Sequence, residues 1–400
     1  MARNLEDDLN EKIDRAILEE AQKPRRERMS NVALGRMFDV HETTIRRHKQ
    51  ALQKALRLPV EQDRDEFFDI PVNAITQRRR TIRLEDGSYE RVTYNPAVAV
   101  AEDVREASYE ELEKVFDRAV LAVAPKVEEG RPKTLVVCLS DFQVGKTDSL
   151  GGTQETVNRV MTTLKRITEW IQAEGSYEEI IIADVGDVCE GFWNVTSQQQ
   201  TNDLSLTDQI RVAQRLMAEA VVMLAPLCTR MTYVSIPSNH CAVRTGKGND
   251  NRANSPDDDF GLLIADTIQA IMSGREPFSH VNFAKPQKWE EAVTVETADG
   301  TAVGFTHGHL AGSQAKIPSW FRDLAFGHRS GLHEASILVH GHFHNFGVSL
   351  VGDNKFIIGC PTADNGSSWF TNRTGDATDP ALLTFEVQDK KAKRWVLWYE

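Results

Sequence analysis

The pattern of apolar and polar positions changes near residue 134 of this chain. Before it, apolar residues recur mostly at helical spacing, from Leu5 to Ala21 and again over Thr44–Leu56. After it, short apolar runs alternate with amphipathic helical stretches, starting with the run at 135–139. Strands that alternate with helices indicate a mixed α/β domain with parallel strands. The sequence therefore predicts a helical domain at 1–58, a connecting hairpin and helix at 59–133, and an α/β domain at 134–400.

The N-terminal domain contains two short helical segments separated by a tight turn. Ser30 is a typical N-cap for a helix over 31–38, residues 39–41 form the turn, and a second helix begins at Glu42 or Thr43. This pattern resembles a helix-turn-helix, with Ala33 at the close-packed position of its first helix. The second helix would then be the recognition helix and would present the DNA-binding candidates Thr43, Thr44, Arg46, Arg47, Lys49 and Gln50.

The charge of this region differs from that of the whole chain. The net charge of the protein is −12, yet residues 21–58 contain ten Lys and Arg against three Asp and Glu. Such a local excess is what contact with phosphate groups requires. The alternative is a plain helical bundle with a solvated basic face.

The connecting region has two recognisable elements. Residues 78–94 alternate apolar and charged positions around Asp86-Gly87, which predicts a β-hairpin. Its arginines could extend a nucleic-acid surface or form a solvated face. A helix is expected over about 98–122, and the polar stretch 126–133 marks the boundary of the α/β domain.

Five clusters of polar residues follow apolar strands of the α/β domain, each at the point where its strand ends. Open α/β sheets place their sites at the carboxyl ends of strands, so these clusters should converge. Carboxylate, amide and imidazole groups are ligands of divalent metals. The clusters are Asp141-Phe142-Gln143, Gly186-Asp187, Ser238-Asn239-His240, His307-Gly308-His309 and Gly341-His342-Phe343-His344.

A pair of divalent ions, about 3.5 to 4 Å apart, requires a bridging carboxylate. Asp187, at a glycine turn, is the natural bridge. Asp141 and His344 would complete one site with it, and the other site would be formed by Asn239, His307 and His342. Oxygen and imidazole ligands without thiolate suit manganese, magnesium, iron or zinc. His240 is placed to protonate a leaving oxygen.

In this order, the clusters resemble the motifs D-x-H, G-D, G-N-H-[DE], a histidine at a strand end, and G-H-x-H of the calcineurin-like metallophosphoesterases. The resemblance covers roughly residues 134–365. It implies a four-layer double β-sandwich flanked by helices, with two metals at the strand ends and hydrolysis of phosphoesters. It implies a general acid at His240 and metal ligands at Asp141, Asp187, Asn239, His307, His342 and His344.

The chain departs from the family at two positions. Gln143 stands where the family has histidine, and Cys241 stands where it has Asp or Glu. Gln143 could still bind metal through its amide oxygen, which would favour manganese or magnesium, or the first metal could be lost or loosely held. His307 is the preferred ligand of the fourth motif, and His309 could replace it or contact substrate. Two further substrate-binding candidates, which could equally face solvent, are Arg244 and Lys247.

The composition of the chain indicates its cellular location. No apolar run reaches the ~18 to 20 residues that span a membrane. The five cysteines are scattered and odd in number, which argues against a disulfide framework. We therefore expect a cytoplasmic protein without membrane contact, which could form a homo-oligomer.

Together these features predict a hydrolase with two divalent metal ions, manganese being favoured, that acts as a DNA phosphodiesterase of the exo- or endonuclease kind. DNA is the expected partner, because a domain that grips duplex DNA suits a hydrolase whose substrate is DNA. One alternative is a DNA-binding regulator or accessory protein with a weakened site. Another is a phosphatase of a protein or small molecule, whose N-terminal helices serve only oligomerisation.

Overall fold

The structure is a computed structural model of the 400-residue chain. It describes residues 2–21, 29–55, 78–83, 89–94, 103–121, 132–174, 177–193, 201–245, 252–253, 255–327, 331–352, 355–368, 371–372 and 379–399. Lys247 and the Asp86-Gly87 turn of the hairpin lie outside the described residues. The chain divides into two compact units, which are residues 1–69 and residues 70–400.

The first unit contains three helices, α1 (Ala2–Ala21), α2 (Asn31–Met37) and α3 (Glu42–Ala55). The Ser30 side chain caps α2 by accepting a hydrogen bond of 3.2 Å from the backbone N–H of Ala33. Each helix contributes to a small core: Ile13 from α1, Leu34 from α2 and Ile45 from α3 are fully buried. The apolar periodicity read from the sequence thus marks the faces that pack together.

At Gly35, helix α2 and the turn that follows it approach each other closely. A Cβ at Gly35 would lie 2.7 Å from the carbonyl oxygen of Val40, whose own N–H donates to the Gly35 carbonyl at 2.9 Å. The expectation that Ala33 takes the close-packed position is therefore wrong. The chain folds back over the last turn of α2, and Ala33 lies in the first.

The second unit is a mixed α/β structure, as the sequence predicts. Its helices are α4 (Asp103–Asp117), α5 (Thr153–Glu174), α6 (Leu206–Leu224), α7 (Phe260–Met272) and α8 (Ile317–Gly327). Its strands are β1 (Arg78–Arg83), β2 (Tyr89–Tyr94), β3 (Thr134–Leu139), β4 (Tyr177–Asp184), β5 (Cys228–Ser235), β6 (Arg244–Thr245), β7 (Arg252–Ala253), β8 (Val281–Ala284), β9 (Ala292–Glu296), β10 (Ala302–Thr306), β11 (Ile337–His340), β12 (Gly347–Val351), β13 (Lys355–Gly359), β14 (Ala381–Gln388) and β15 (Lys391–Tyr399).

Two larger sheets form this unit. The first sheet has the strand order β15-β14-β3-β4-β5-β8, and the second sheet has the order β12-β13-β11-β10-β9. Strands β3, β4, β5 and β8 are parallel, as are β10, β11 and β13. In addition, β1 pairs with β2, and β6 pairs with β7.

Both sheets contribute side chains to one hydrophobic core. Val136 and Ile181 of the first sheet share this core with Val303 and Val339 of the second. Alternate residues of the first sheet, such as Ile182, are also fully buried. Parallel strands that are covered on both faces read as continuous apolar runs, which is the pattern seen in the sequence.

Helix α8 packs on the second sheet, on the face opposite the shared core. Ile317 and Phe321 of α8 pack with Leu338 and Ile357 of the second sheet. Helix α4 packs within the same unit, because Phe116, near its end, meets Phe278 edge to face with ring centroids 5.5 Å apart. The helix predicted within the connecting region therefore packs against the α/β unit.

The register of the strands brings the motif loops to one edge of each sheet. Leu139, Asp184 and Ser235, the last residues of β3, β4 and β5, are paired with one another. Likewise Thr306, the last residue of β10, is paired with His340, the last of β11.

The described helices include none that combines the length and the apolar character needed to span a membrane.

Candidate metal centre

The side chain of Asp187 lies at the centre of the five motifs. Its backbone N–H donates to the Ser238 hydroxyl at 2.9 Å, and its Oδ1 accepts from the backbone N–H of His240 at 2.9 Å. These two bonds tie the second motif to the third. They leave Oδ2, which lies 3.0 Å from Nε2 of His307.

The backbone at the predicted ligands is strained. A positive φ is costly for residues with a side chain, and it is maintained only where the surrounding structure enforces it. Such conformations are common at functional sites, and five of the ten described residues other than glycine with a positive φ are predicted ligands, which agrees with a site at the strand ends. The predicted ligands concerned are Asp141 (53°), Gln143 (45°), Asp187 (55°), His342 (71°) and His344 (58°).

Donor atoms of Asp187, His307 and His342 converge, all lying within 4.8 Å of one another. Among the described residues this is the only such group of three His, Cys, Asp or Glu side chains. Asn239, from the third motif, adds its Oδ1 at 2.9 Å from His307 Nε2. The four residues predicted to hold one metal ion are therefore brought together.

The hydrogen bonds of His307 test whether this group suits a cation. Nδ1 lies 2.8 Å from the carbonyl oxygen of Val185, which fixes it as the protonated nitrogen. Nε2 then faces two oxygen atoms, those of Asp187 and Asn239. A neutral imidazole lone pair aimed at two oxygens is unfavourable, so Nε2 must carry a proton or bind a cation. The donors fit a divalent metal.

The charges of this group agree with that conclusion. Burial works to raise the pKa of Asp187, but His307 and His240 hold it well below its usual range. Burial works to lower the pKa of His307, and Asp187 nevertheless raises it to about 9. Burial and His307 lower the pKa of His342 to about 4. At neutral pH Asp187 is a carboxylate and His342 a neutral imidazole, the forms that bind metal, whereas His307 must give up its Nε2 proton when an ion binds.

Asp141 and His344 lie side by side in the second half of the site, with Asp141 Oδ1 3.2 Å from His344 Nε2. The Asp141 carboxylate also accepts from the backbone N–H of His342, at 3.1 to 3.2 Å, and from the Ser140 hydroxyl. The other ring nitrogen of His344 lies 3.5 Å from Oδ2 of Asp364. The first and fifth motifs are thus joined, and a further carboxylate is added.

Two residues of this half, Lys146 and Asp364, were missed by sequence reasoning. Nζ of Lys146 donates to Oε1 of Gln143 at 2.6 Å and forms an ion pair with Asp364. Burial works to lower the pKa of Lys146, but Asp364 and Glu190 outweigh it and raise the pKa. Asp364 follows the end of β13, so the strand-end rule that found the other motifs could have found it. Lys146 carried no such signal.

His240 is held with one nitrogen fixed. Nδ1 lies 2.8 Å from the Glu190 carbonyl oxygen and 3.2 Å from its Oε2. Nε2 therefore faces the site, 4.0 Å from Asp187 Oδ2 and 3.4 Å from Nε2 of Gln143. Burial works to lower the pKa of His240, whereas Asp187 and Glu190 raise it to about 9. The two carboxylates thus stabilise the protonated ring.

A cavity of about 200 Å³ opens beside the centre, between Asn239, Arg244, Glu291 and His309. Arg244 donates to the Asn239 carbonyl oxygen at 3.2 Å. Its Nε and the Nδ1 of His309 are buried and have no hydrogen-bond partner among the described residues. Burial and His307 lower the pKa of His309 to about 3. Two predicted substrate-binding residues therefore line one cavity.

The DNA-binding candidates of the first unit lie on α3 with differing exposure. Thr43, Arg46 and Arg47 are exposed, whereas Thr44 and Lys49 are half-buried. Lys49 donates to the Asn31 side chain at 2.7 Å, and Arg46 lies 3.6 Å from Glu42 of the same helix. The side chain of Gln50 lies outside the described residues. The two exposed arginines are thus the best placed for phosphate contact.

No family model and no curated protein sequence matches this chain. Among solved structures, Vps29 from Chaetomium thermophilum is similar at 10% sequence identity, with 66% of this chain and 96% of Vps29 covered and a TM-score of 0.27. A likeness at this level carries no argument about the family or the activity of the chain.

Proposed function

We propose that the chain is a divalent-metal-dependent phosphoesterase of the calcineurin-like kind, acting on DNA as an exo- or endonuclease. The observation that carries this proposal is the convergence of Asp187, Asn239, His307 and His342. Two sheets with a shared core, and a helix packed on the outer face of the second, agree with the four-layer double β-sandwich of that family.

The centre would hold a divalent ion, with manganese favoured over magnesium, iron and zinc. Such an ion would offer positive charge to a phosphoryl oxygen and would lower the pKa of a water molecule. Asp187 is the carboxylate of the centre, and the Val185 carbonyl fixes the ring of His307 toward it.

His240 is the general acid. Its Nδ1 is fixed by Glu190, so the proton on Nε2 is the one that faces the site. Asp187 and Glu190 raise the pKa of His240 to about 9, and of the two only Glu190 would keep its full effect with a cation on Asp187. His240 is therefore placed to protonate the leaving oxygen of a phosphodiester. An ordinary alkoxide leaving group needs such a proton in order to depart.

The cavity beside the centre is the site for the remainder of the substrate. Arg244 brings a permanent positive charge to its wall, and His309 brings a neutral imidazole with a buried Nδ1. A guanidinium group matches the oxygens of a phosphate. Glu291 lies on the same wall and would repel a second phosphate there, which favours a diester over a polyphosphate.

DNA is proposed as the substrate because of the first unit. A capped α2, a turn at Asp39 with φ of 54°, and an α3 with exposed Arg46 and Arg47 agree with a helix-turn-helix. Such a module would place the hydrolase on duplex DNA.

Hydrolysis of bis-p-nitrophenyl phosphate in the presence of manganese tests the proposed activity. We expect turnover by the wild type and none by Asp187→Asn. Asp266→Asn is the matched control, since Asp266 is an exposed carboxylate of α7 paired with Lys285, and this variant should keep full activity. Equal activity in all three proteins would contradict the proposal.

A further inference from the structure

Lys146 is an enclosed positive charge within the site. Only 12% of its side chain is exposed. Its Nζ contacts Asp364 Oδ2 and Gln143 Oε1. An ammonium group taken out of water persists only where anionic and polar acceptors replace its hydration. The acceptors here come from the first motif and from the loop after β13.

The loop that carries Asp364 is itself held in place. Arg159, buried on α5, donates to the carbonyl oxygens of Ala363 and Asp364 at 2.8 and 3.1 Å. The backbone N–H of Gly366 donates to Oδ1 of Asp364 at 2.9 Å. The carboxylate partner of Lys146 is therefore fixed and not a chance surface contact.

The donors that a second metal ion would need are already engaged. The Gln143 oxygen accepts from Lys146, and both oxygens of Asp141 accept hydrogen bonds from Ser140 or the His342 backbone. The ring of His344 lies between two carboxylates, those of Asp141 and Asp364. Asp141, His344 and Asp364 do not form a converging group like that around Asp187 in the described part of the chain.

We infer that the ammonium of Lys146 replaces the second divalent ion as the cation of this half of the site, so that the chain binds one divalent ion instead of two. This inference rests on the proposed function, because it assumes the centre at Asp187, His307 and His342. This role of Lys146 would explain why residue 143 is a glutamine and not a histidine. Its amide oxygen can accept from an ammonium, which a protonated or metal-binding imidazole in its place would not do.

Lysine and a metal ion differ in what they supply. The ammonium offers a unit charge and, beyond the N–H groups that donate to Asp364 and Gln143, one further N–H donor, but it does not act as a Lewis acid. The chain would therefore rely on a single metal and a built-in cation.

The test is the number of Mn²⁺ ions bound per chain, counted by native mass spectrometry and by the electron paramagnetic resonance spectrum. An isolated Mn²⁺ ion and an exchange-coupled pair give distinct spectra. We expect one isolated ion in the wild type and in Gln143→His, because Lys146 remains in both. The double variant Gln143→His with Lys146→Ala frees the carboxylates and restores an imidazole, so it should bind a coupled pair.

Lys355→Met is the matched control. Lys355 is a partly buried lysine of the second sheet that donates to the Ala335 carbonyl oxygen, and its loss should leave one ion. Two ions in the wild type, or a single ion in a folded double variant, would overturn the inference while leaving the proposed function standing. A wild type that binds no ion would refute the proposed metal centre itself.

Discussion

Replacement of Gly186 by alanine should damage the metal centre through backbone geometry alone. Gly186 has a φ of 97°, and a Cβ there would lie 2.6 Å from the Ser238 Cβ and 2.8 Å from His307 Nδ1. The positive φ costs an L residue about 1 to 2 kcal/mol, and overpacking in a closed site adds roughly 1 to 3 kcal/mol. We expect a loss of about 2 to 5 kcal/mol in the free energy of unfolding.

Gly300→Ala is the matched control for this prediction. Its φ is 79°, but a Cβ at Gly300 meets nothing within 4 Å, so only the backbone cost of about 1 to 2 kcal/mol remains. Both variants are compared by urea unfolding, and Mn²⁺ affinity is measured by titration calorimetry. Displacement of the His307 ring should weaken Mn²⁺ binding in Gly186→Ala alone. Equal unfolding losses with unchanged Mn²⁺ affinity would refute the reasoning.

Three further predictions concern a proton donor, a buried carboxyl group and the DNA-binding surface. His240→Gln should lower kcat by about 10²- to 10⁴-fold without changing the Mn²⁺ midpoint, and a rise in that midpoint would make His240 a ligand instead. Burial raises the pKa of Asp184 to about 7, so the native state binds the extra proton and stability falls as pH rises from about 4 to 7. Asp184→Asn should reduce this dependence, because Asp259, whose pKa burial also raises to about 7, retains its own share. The variant should gain roughly 1 to 4 kcal/mol at pH 8 in denaturant unfolding, and an unchanged pH profile would contradict the assignment. Arg46→Ala with Arg47→Ala should weaken duplex DNA binding in fluorescence anisotropy and reduce its log–log salt slope by about one to two, with hydrolysis of the small diester unaffected. An unchanged affinity would leave the basic face without that role.

Much of the site was predictable because strand ends in a parallel sheet converge. The apolar runs before Asp141, Asp187, Asn239, His307 and His342 identify buried strands, and topology then places the residues that follow at one edge. This required no knowledge of long-range contacts. The alternation of strands with helices gave the mixed α/β fold for the same reason.

What the sequence could not predict depends on contacts between distant segments. Lys146 meets Asp364, which lies 218 positions away, and no local pattern specifies that pair. The pKa of His240 depends on Asp187 and Glu190, which come from another loop. The position of Gly35 against the Val40 carbonyl depends on the turn geometry of the folded chain, and composition alone did not distinguish it from Ala33.

The most direct test of the proposed function is a nuclease assay with manganese on single-stranded, duplex and nicked DNA, using the full chain and Asp187→Asn. We predict cleavage of duplex-containing DNA by the wild type, none by Asp187→Asn, and slower cleavage at raised salt when Arg46 and Arg47 are both alanine. A wild type that hydrolyses bis-p-nitrophenyl phosphate but leaves all three DNA substrates intact would contradict the DNA assignment and favour a phosphatase of proteins or small molecules.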